Sequence, residues 1–237
     1  AISTGIGLFI TIIGLKNSGL VVSSPDSDCF CNLWDADEAR FGYDLFLHRL
    51  GDKFLVSISS VEAANILESA VDLRDATNED RIEFRHATRA RQASFNPEIP
   101  EIQDVAMLMD AFHSDPFWEE LGSKCLACNA CAAVCPTCFC FDIQDVLDPN
   151  GQTGERQRIW DACTSPQFAV VAGGHNFRPT GRERVRHRMY HKLNGFLATY
   201  DRMLCVGCGR CVKACKADIN PIRVLEFFEK KGAEGAC

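Results

Sequence analysis

Apolar and polar positions change their period along this chain, and those changes divide it. Leu8–Ile13 is a short apolar run; Tyr43–Leu47 and Phe54–Ile58 follow. With Ser23-Ser24-Pro25-Asp26 and Gly51-Asp52 as turns between them, they carry the signals of strands. The apolar stretch from Ile6 to Leu15 is about ten residues, half of the roughly twenty that a bilayer span needs. Lys16-Asn17-Ser18-Gly19 then interrupts it, so no membrane span is expected. From Val61 the period becomes helical: Val61, Ala64, Ile66, Leu67 and Val71 can share a face, and Ser60 with Glu62 supplies a start. Asp72–Asn96 is charge-rich with few large apolar residues, the pattern of a solvated helix or linker and of a boundary. After Pro97 and Pro100, Ile102–Phe112 is again helical, and a short helix from Asp115-Pro116 through Trp118 leads to Cys125. Phe141–Leu204 reads as a long insert, turn-rich around Pro149-Asn150-Gly151 and basic and helical from Arg182 to Tyr200. Pro221–Lys230 reads as a closing helix.

The fold class expected is α+β. Residues 1–96 form a β-containing N-terminal region ending in a helical linker; residues 97–237 form an α-helical, ferredoxin-like module with its insert at about 141–204.

With 46% hydrophobic and 24% charged residues in 237, the composition is that of a globular protein able to build a core. The net charge of −7 argues against a nucleic-acid or anionic-membrane partner, since both select positive surfaces. Fourteen cysteines change the picture most. In ligand-like spacing they point to metal binding rather than disulfides, and to a reducing, cytoplasmic setting.

Cys125-Leu-Ala-Cys128-Asn-Ala-Cys131, then Ala-Ala-Val-Cys135-Pro136, has the spacing by which bacterial-type ferredoxins hold cubane [4Fe–4S] clusters. Cys205-Val-Gly-Cys208-Gly-Arg-Cys211, then Val-Lys-Ala-Cys215, repeats it, with Lys216 where proline is usual. Two-residue gaps let one loop present three thiolates, and in paired modules the fourth cysteine of each run serves the other cluster. The expected sets are Cys125, Cys128, Cys131 and Cys215 for one cluster, and Cys205, Cys208, Cys211 and Cys135 for the other. Zinc ribbons use pairs of C-x2-C rather than two such quartets.

Cys29 and Cys31, Cys138 and Cys140, and Cys163 remain, with Cys237 a bystander. In extended backbone, residues i and i+2 lie on one side, so each Cys-Phe-Cys offers two thiolates to one site. These five are candidates for the corners of a third cluster; the alternative is that they are small buried hydrophobes. The Arg182, Arg184, Arg186 and Arg188 run, with His187 and His191, reads first as a solvated helix face. The alternatives are contact with an acidic partner or compensation of cluster charge. There is no G-x-G-x-x-G or Walker pattern, and hence no evident nucleotide or flavin site.

Taken together, Asp28-Cys29-Phe30-Cys31, Gly42-Tyr43-Asp44-Leu45, Leu50-Gly51-Asp52-Lys53-Phe54-Leu55-Val56, Cys135-Pro136-Thr137-Cys138-Phe139-Cys140 and Trp160-Asp161-Ala162-Cys163 resemble a 4Fe–4S dicluster family. It comprises the beta, or iron–sulfur, subunit of cytoplasmic sulfhydrogenases and the similar iron–sulfur subunit of anaerobic sulfite reductase. The resemblance runs from about Asp26 to Pro221 and includes Arg178-Pro179 and His191-Lys192. It implies an electron relay between a flavin-containing, NAD(P)H-handling subunit and a further redox subunit (hydrogenase, sulfite reductase or heterodisulfide-reductase-like). No catalytic residue is nominated. Two rival readings stand beside the relay: a catalytic subunit with a substrate-reactive cluster, and a scaffold whose clusters are structural.

Overall fold

A computed structural model describes residues 10–14, 29–34, 36, 42–70, 73–95 and 98–235; for 10–14, 70, 234 and 235 it describes backbone only. The chain is α+β and forms two compact units. Within the described residues, the first comprises 10–14, 34, 36, 42–70 and 73–95, and the second 29–33 and 98–235.

The first unit is an antiparallel sheet in the order β2-β3-β1-β4, with β1 Ile10–Gly14, β2 Leu45–Leu50, β3 Lys53–Ile58 and β4 Leu73–Asp75. Gly51, at φ +60°, takes the left-handed turn between β2 and β3 that a side chain would strain. Strand β3, in the middle of the sheet, buries Phe54, Leu55 and Val56. Leu8, Val71 and the Ser23–Asp26 turn lie outside the described residues.

Helix α1, Val61–Ala70, packs Leu67 against Val56, and its buried positions are Ala63 and Leu67. Val61 and Ile66 are exposed, because the i, i+4 stripe that reaches the core is centred one residue away from the expected one. The charged stretch that follows contains α2, Asn78–Ala93, begun by a capping box between Thr77 and Asp80. Asp80 is buried and accepts from Lys53 Nζ at 2.7 Å and Arg74 Nη1 at 2.7 Å. Arg74, then Lys53, hold its carboxyl far below the ordinary carboxylate range.

The second unit is mainly helical: α3 Val105–Ala111, α4 Phe117–Lys124, α5 Ala130–Ala133, α6 Gly181–Leu193, α7 Leu197–Tyr200, α8 Arg210–Ala214 and α9 Pro221–Gly235. The Asp115 side chain accepts from Phe117 N at 2.8 Å to start α4, and a Thr180–Glu183 capping box starts α6. Helices α4 and α6 meet backbone to backbone: a Cβ on Gly122 would lie 2.2 Å from Arg182 N, so only glycine permits the approach. Trp118, Leu121, Val185, Met189 and Leu193 fill the core around this contact, and Phe117 stacks on Phe227 of α9 at 4.2 Å. This packing fixes the end of α4, and therefore where Cys125 begins.

The insert is not merely turn-rich. Phe141–Leu147 and Gly154–Trp160 pair as an antiparallel hairpin, β5–β6, with Asp145 and Arg156 joined at 2.7 and 2.9 Å. The hairpin leaves directly after Cys140 and returns just before Cys163, and Asp161 N donates to Cys140 O at 3.2 Å.

Candidate cluster-binding site

The two cysteine motifs fold alike. In the first, Ala127 (φ +51°) and Asn129 (φ +62°) are left-handed and α5 follows; in the second, Gly207 (φ +63°) and Gly209 (φ +69°) are left-handed and α8 follows. In each motif the third cysteine lies in the short helix and the fourth just beyond it. Helices α5 and α8 pack together, which brings each fourth cysteine toward the opposite loop.

Cys125, Cys128 and Cys131 line one cavity together with Cys215, from the other motif. Burial pushes the Cys131 thiol up, and Cys215, Cys125 and Cys128 are near enough to add to that rise. Cys205, Cys208, Cys211 and Cys135 are neighbours in the same sense; burial pushes Cys205 up strongly and Cys211 to about 11. A cubane asks for four sulfur donors around one space. The first quartet and the apolar wall given by Val185 and Ile219 fit that group.

The basic helix is not a solvated face. Arg184, Arg188 and Lys192 are buried at i, i+4 and i+8 of α6, each beside a buried apolar residue: Val185, Met189 and Leu193. Arg188 lines the cavity of Cys125, Cys128, Cys131 and Cys215, donates from Nη2 to Cys131 O at 2.7 Å and reaches Cys138 Sγ from Nη1 at 3.4 Å. Lys192 Nζ donates to Thr137 O at 2.9 Å and Thr137 Oγ1 at 3.0 Å. The Thr137 hydroxyl donates to Leu204 O at 2.5 Å and lies 3.5 Å from Cys135 Sγ. Lys192 O in turn accepts from Cys205 N at 3.0 Å. One helix face thus sets a buried cation beside each cysteine loop. The sequence signal for this was the apolar stripe Val185-Met189-Leu193 running alongside Arg184-Arg188-Lys192.

The remaining cysteines lie around the same loops. Phe30 is buried and its N donates to Gly207 O at 2.7 Å; a Cβ on Gly207 would sit 2.6 Å from Cys31 N. The first Cys-Phe-Cys therefore rests on the second cluster loop, with Cys29 Sγ and Cys31 Sγ 3.1 Å apart. Cys135 and Cys138 act on each other as a pair, which lowers the Cys135 thiol and raises that of Cys138. Cys163 is buried, its thiol pushed up to about 11 by burial, with Cys140 and Cys131 among its neighbours. Thr164 Oγ1 ties its segment to Asn129 Oδ1 at 2.8 Å.

Among the described residues, no three His, Cys, Asp or Glu side chains converge closely enough for a single metal ion, and no helix is long and apolar enough to cross a membrane. The His187 and His191 rings lie tilted at 34° to each other, centroids 5.8 Å apart, and among the described residues no carboxylate completes a metal site with them.

Residues 124–219 match the family described as 4Fe-4S dicluster domain. The chain is 36% identical over 214 residues to sulfhydrogenase 2 subunit beta of Pyrococcus furiosus, an alignment covering 89% of this chain and 63% of the relative. This chain therefore spans less than two-thirds of that relative's length. No solved structure matches it. Residues 124–219 thus match the 4Fe-4S dicluster domain family, and the chain that carries them is similar to a sulfhydrogenase beta subunit.

Proposed function

We propose that this chain is an electron-relay subunit holding two [4Fe–4S] clusters, one on Cys125, Cys128, Cys131 and Cys215, the other on Cys205, Cys208, Cys211 and Cys135. The observation that carries the reading is the cavity on which Cys215 joins the three cysteines of the opposite motif. When bound, such a cluster takes up and gives back an electron.

The chain's own residues supply the rest. The left-handed positions 127, 129, 207 and 209 turn backbone toward the sulfurs, Val185 and Ile219 limit water, and Arg188 and Lys192 offset thiolate charge in a setting with little solvent. The division of labour follows: residues 1–96 are the β-containing region and 97–237 the cluster module, to which Cys29 and Cys31 also contribute.

The partners in this reading are a flavin-containing, NAD(P)H-handling subunit on one side and a further redox subunit on the other, in a cytoplasmic complex. The similarity to a protein named as a subunit supports partnership of this kind. A third cluster, drawing on Cys29, Cys31, Cys138, Cys140 and Cys163, belongs to the same proposal. Its support is that all five lie in the unit that holds the two cysteine quartets, although Cys29 and Cys31 are distant in sequence.

A reductive titration of the isolated holoprotein, followed by EPR and visible absorption, tests the relay. Every cluster should reduce and reoxidise fully, with spectra unchanged by hydrogen, sulfite or polysulfide. A signal that shifts on adding one of these compounds would make the chain a catalytic subunit; clusters that do not reduce reversibly would make them structural.

A further inference from the structure

The start of α6 and the segment before it carry cationic groups that the cluster site does not use. Arg178, Arg186, His187, His113 and Tyr190 line a cleft open to solvent, with Phe177 and Glu183 on its wall. Arg186 Nη1 donates to His113 O at 3.2 Å, and neighbouring Arg182 Nη2 to Ser114 O at 3.1 Å, so these guanidiniums are held by backbone carbonyls. Glu183 is engaged at the helix start, accepting from Thr180 N at 2.9 Å and Thr180 Oγ1 at 2.8 Å. Asp110, the other nearby acid, takes the Tyr190 hydroxyl at 2.9 Å. The Nε of Arg178, on the wall of the cleft, is buried and has no acceptor among the described residues. A buried donor without a partner is unfavourable, and a charged one most of all.

We infer that this cleft binds a small tetrahedral oxyanion, phosphate or sulfate, held by Arg178 and Arg186 with the His113 and His187 rings as further donors. Guanidinium presents paired N–H groups at the spacing of oxyanion oxygens, which makes arginine the side chain suited to such a ligand. The histidines report the same uncompensated charge. Burial, then Arg178, pushes His187 down to about 4; burial, then Arg186, pushes His113 down. A neutral imidazole keeps one N–H to offer an anion. A metal cation is disfavoured by the same guanidiniums. The cleft contains no cysteine and faces away from the Arg184-Arg188-Lys192 side of α6, so the inference stands independently of the relay.

The test uses holoprotein with inorganic phosphate and sulfate, and chloride at matched ionic strength as the control. Phosphate and sulfate should raise the melting temperature where chloride does not, and calorimetry should show one saturable site. Arg178→Gln with Arg186→Gln should weaken phosphate binding about tenfold or more, the loss expected from removing charge-assisted pairs. Iron content and the EPR spectrum of that variant should match wild type. If the double variant does not fold, Arg178→Lys takes its place: it keeps the charge but loses the fork, and it too should bind phosphate more weakly. Equal melting of wild type in phosphate and chloride would overturn the inference, as would unchanged phosphate affinity in the variants.

Discussion

A Cys215→Ser chain is expected to lose the same EPR signal as a Cys125→Ser chain, and a Cys135→Ser chain the same signal as a Cys208→Ser chain. The first pair lines the cavity with Cys128 and Cys131, although some ninety positions of sequence separate its members. The second pair is joined through the neighbours of Cys205 and Cys211, both of which include Cys135 and Cys208. Loss of one thiolate from a four-cornered site removes the cluster or converts it to a three-iron form, and either change is plain in EPR. If Cys215→Ser instead silenced the signal shared with Cys208→Ser, each motif would hold its own cluster and the crossed arrangement would be wrong.

Replacing Arg188 with glutamine should shift a cluster potential downward while leaving the clusters assembled. Arg188 is 5% exposed and lies on the wall of the first proposed cluster cavity, its guanidinium within reach of Cys131 O and Cys138 Sγ. A fixed positive charge at that range favours the reduced, more negative cluster, and little water is present to screen it. The expected shift is about 59 mV for a one-electron couple, a tenfold smaller reduced fraction at fixed potential. Arg188→Lys should restore most of the potential, because it keeps the charge, but not the bond to Cys131 O. Glutamine also leaves buried acceptors weakly served, so the variant should lose about 1–3 kcal/mol of stability. Equal midpoint potentials in wild type and Arg188→Gln would reduce Arg188 to a packing role.

What could be read from the sequence was what the chain specifies locally. The cysteine spacing names a cluster loop because the ligands of such a loop are near neighbours, whereas the left-handed backbone at 127, 129, 207 and 209 emerges only from the structure. Helix α2 falls inside the charge-rich stretch Asp72–Asn96 and α6, but for its first residue, inside the stretch expected to be basic and helical, and each is opened by a threonine followed three residues later by an acid, a start that neither expectation named. Long-range contacts were not legible. Arg188 reaches Cys131 across 57 positions and Lys192 reaches Thr137 across 55, so a helix dense in arginine reads as solvated until its packing is known. The alternation of Phe141, Ile143 and Leu147 was a strand signal, but the acids between them and the Pro149-Asn150-Gly151 turn drew attention to the loop instead. Cys29 and Cys31 lie in sequence among the strands of the first unit yet rest on the second cluster loop, through the contact of Phe30 with Gly207.

Iron and acid-labile sulfide, measured per chain on anaerobically purified protein, test the central claim most directly. Two cubanes require about eight of each, and a third raises the count to about twelve. Four or fewer irons per chain, or zinc in their place, would contradict the account.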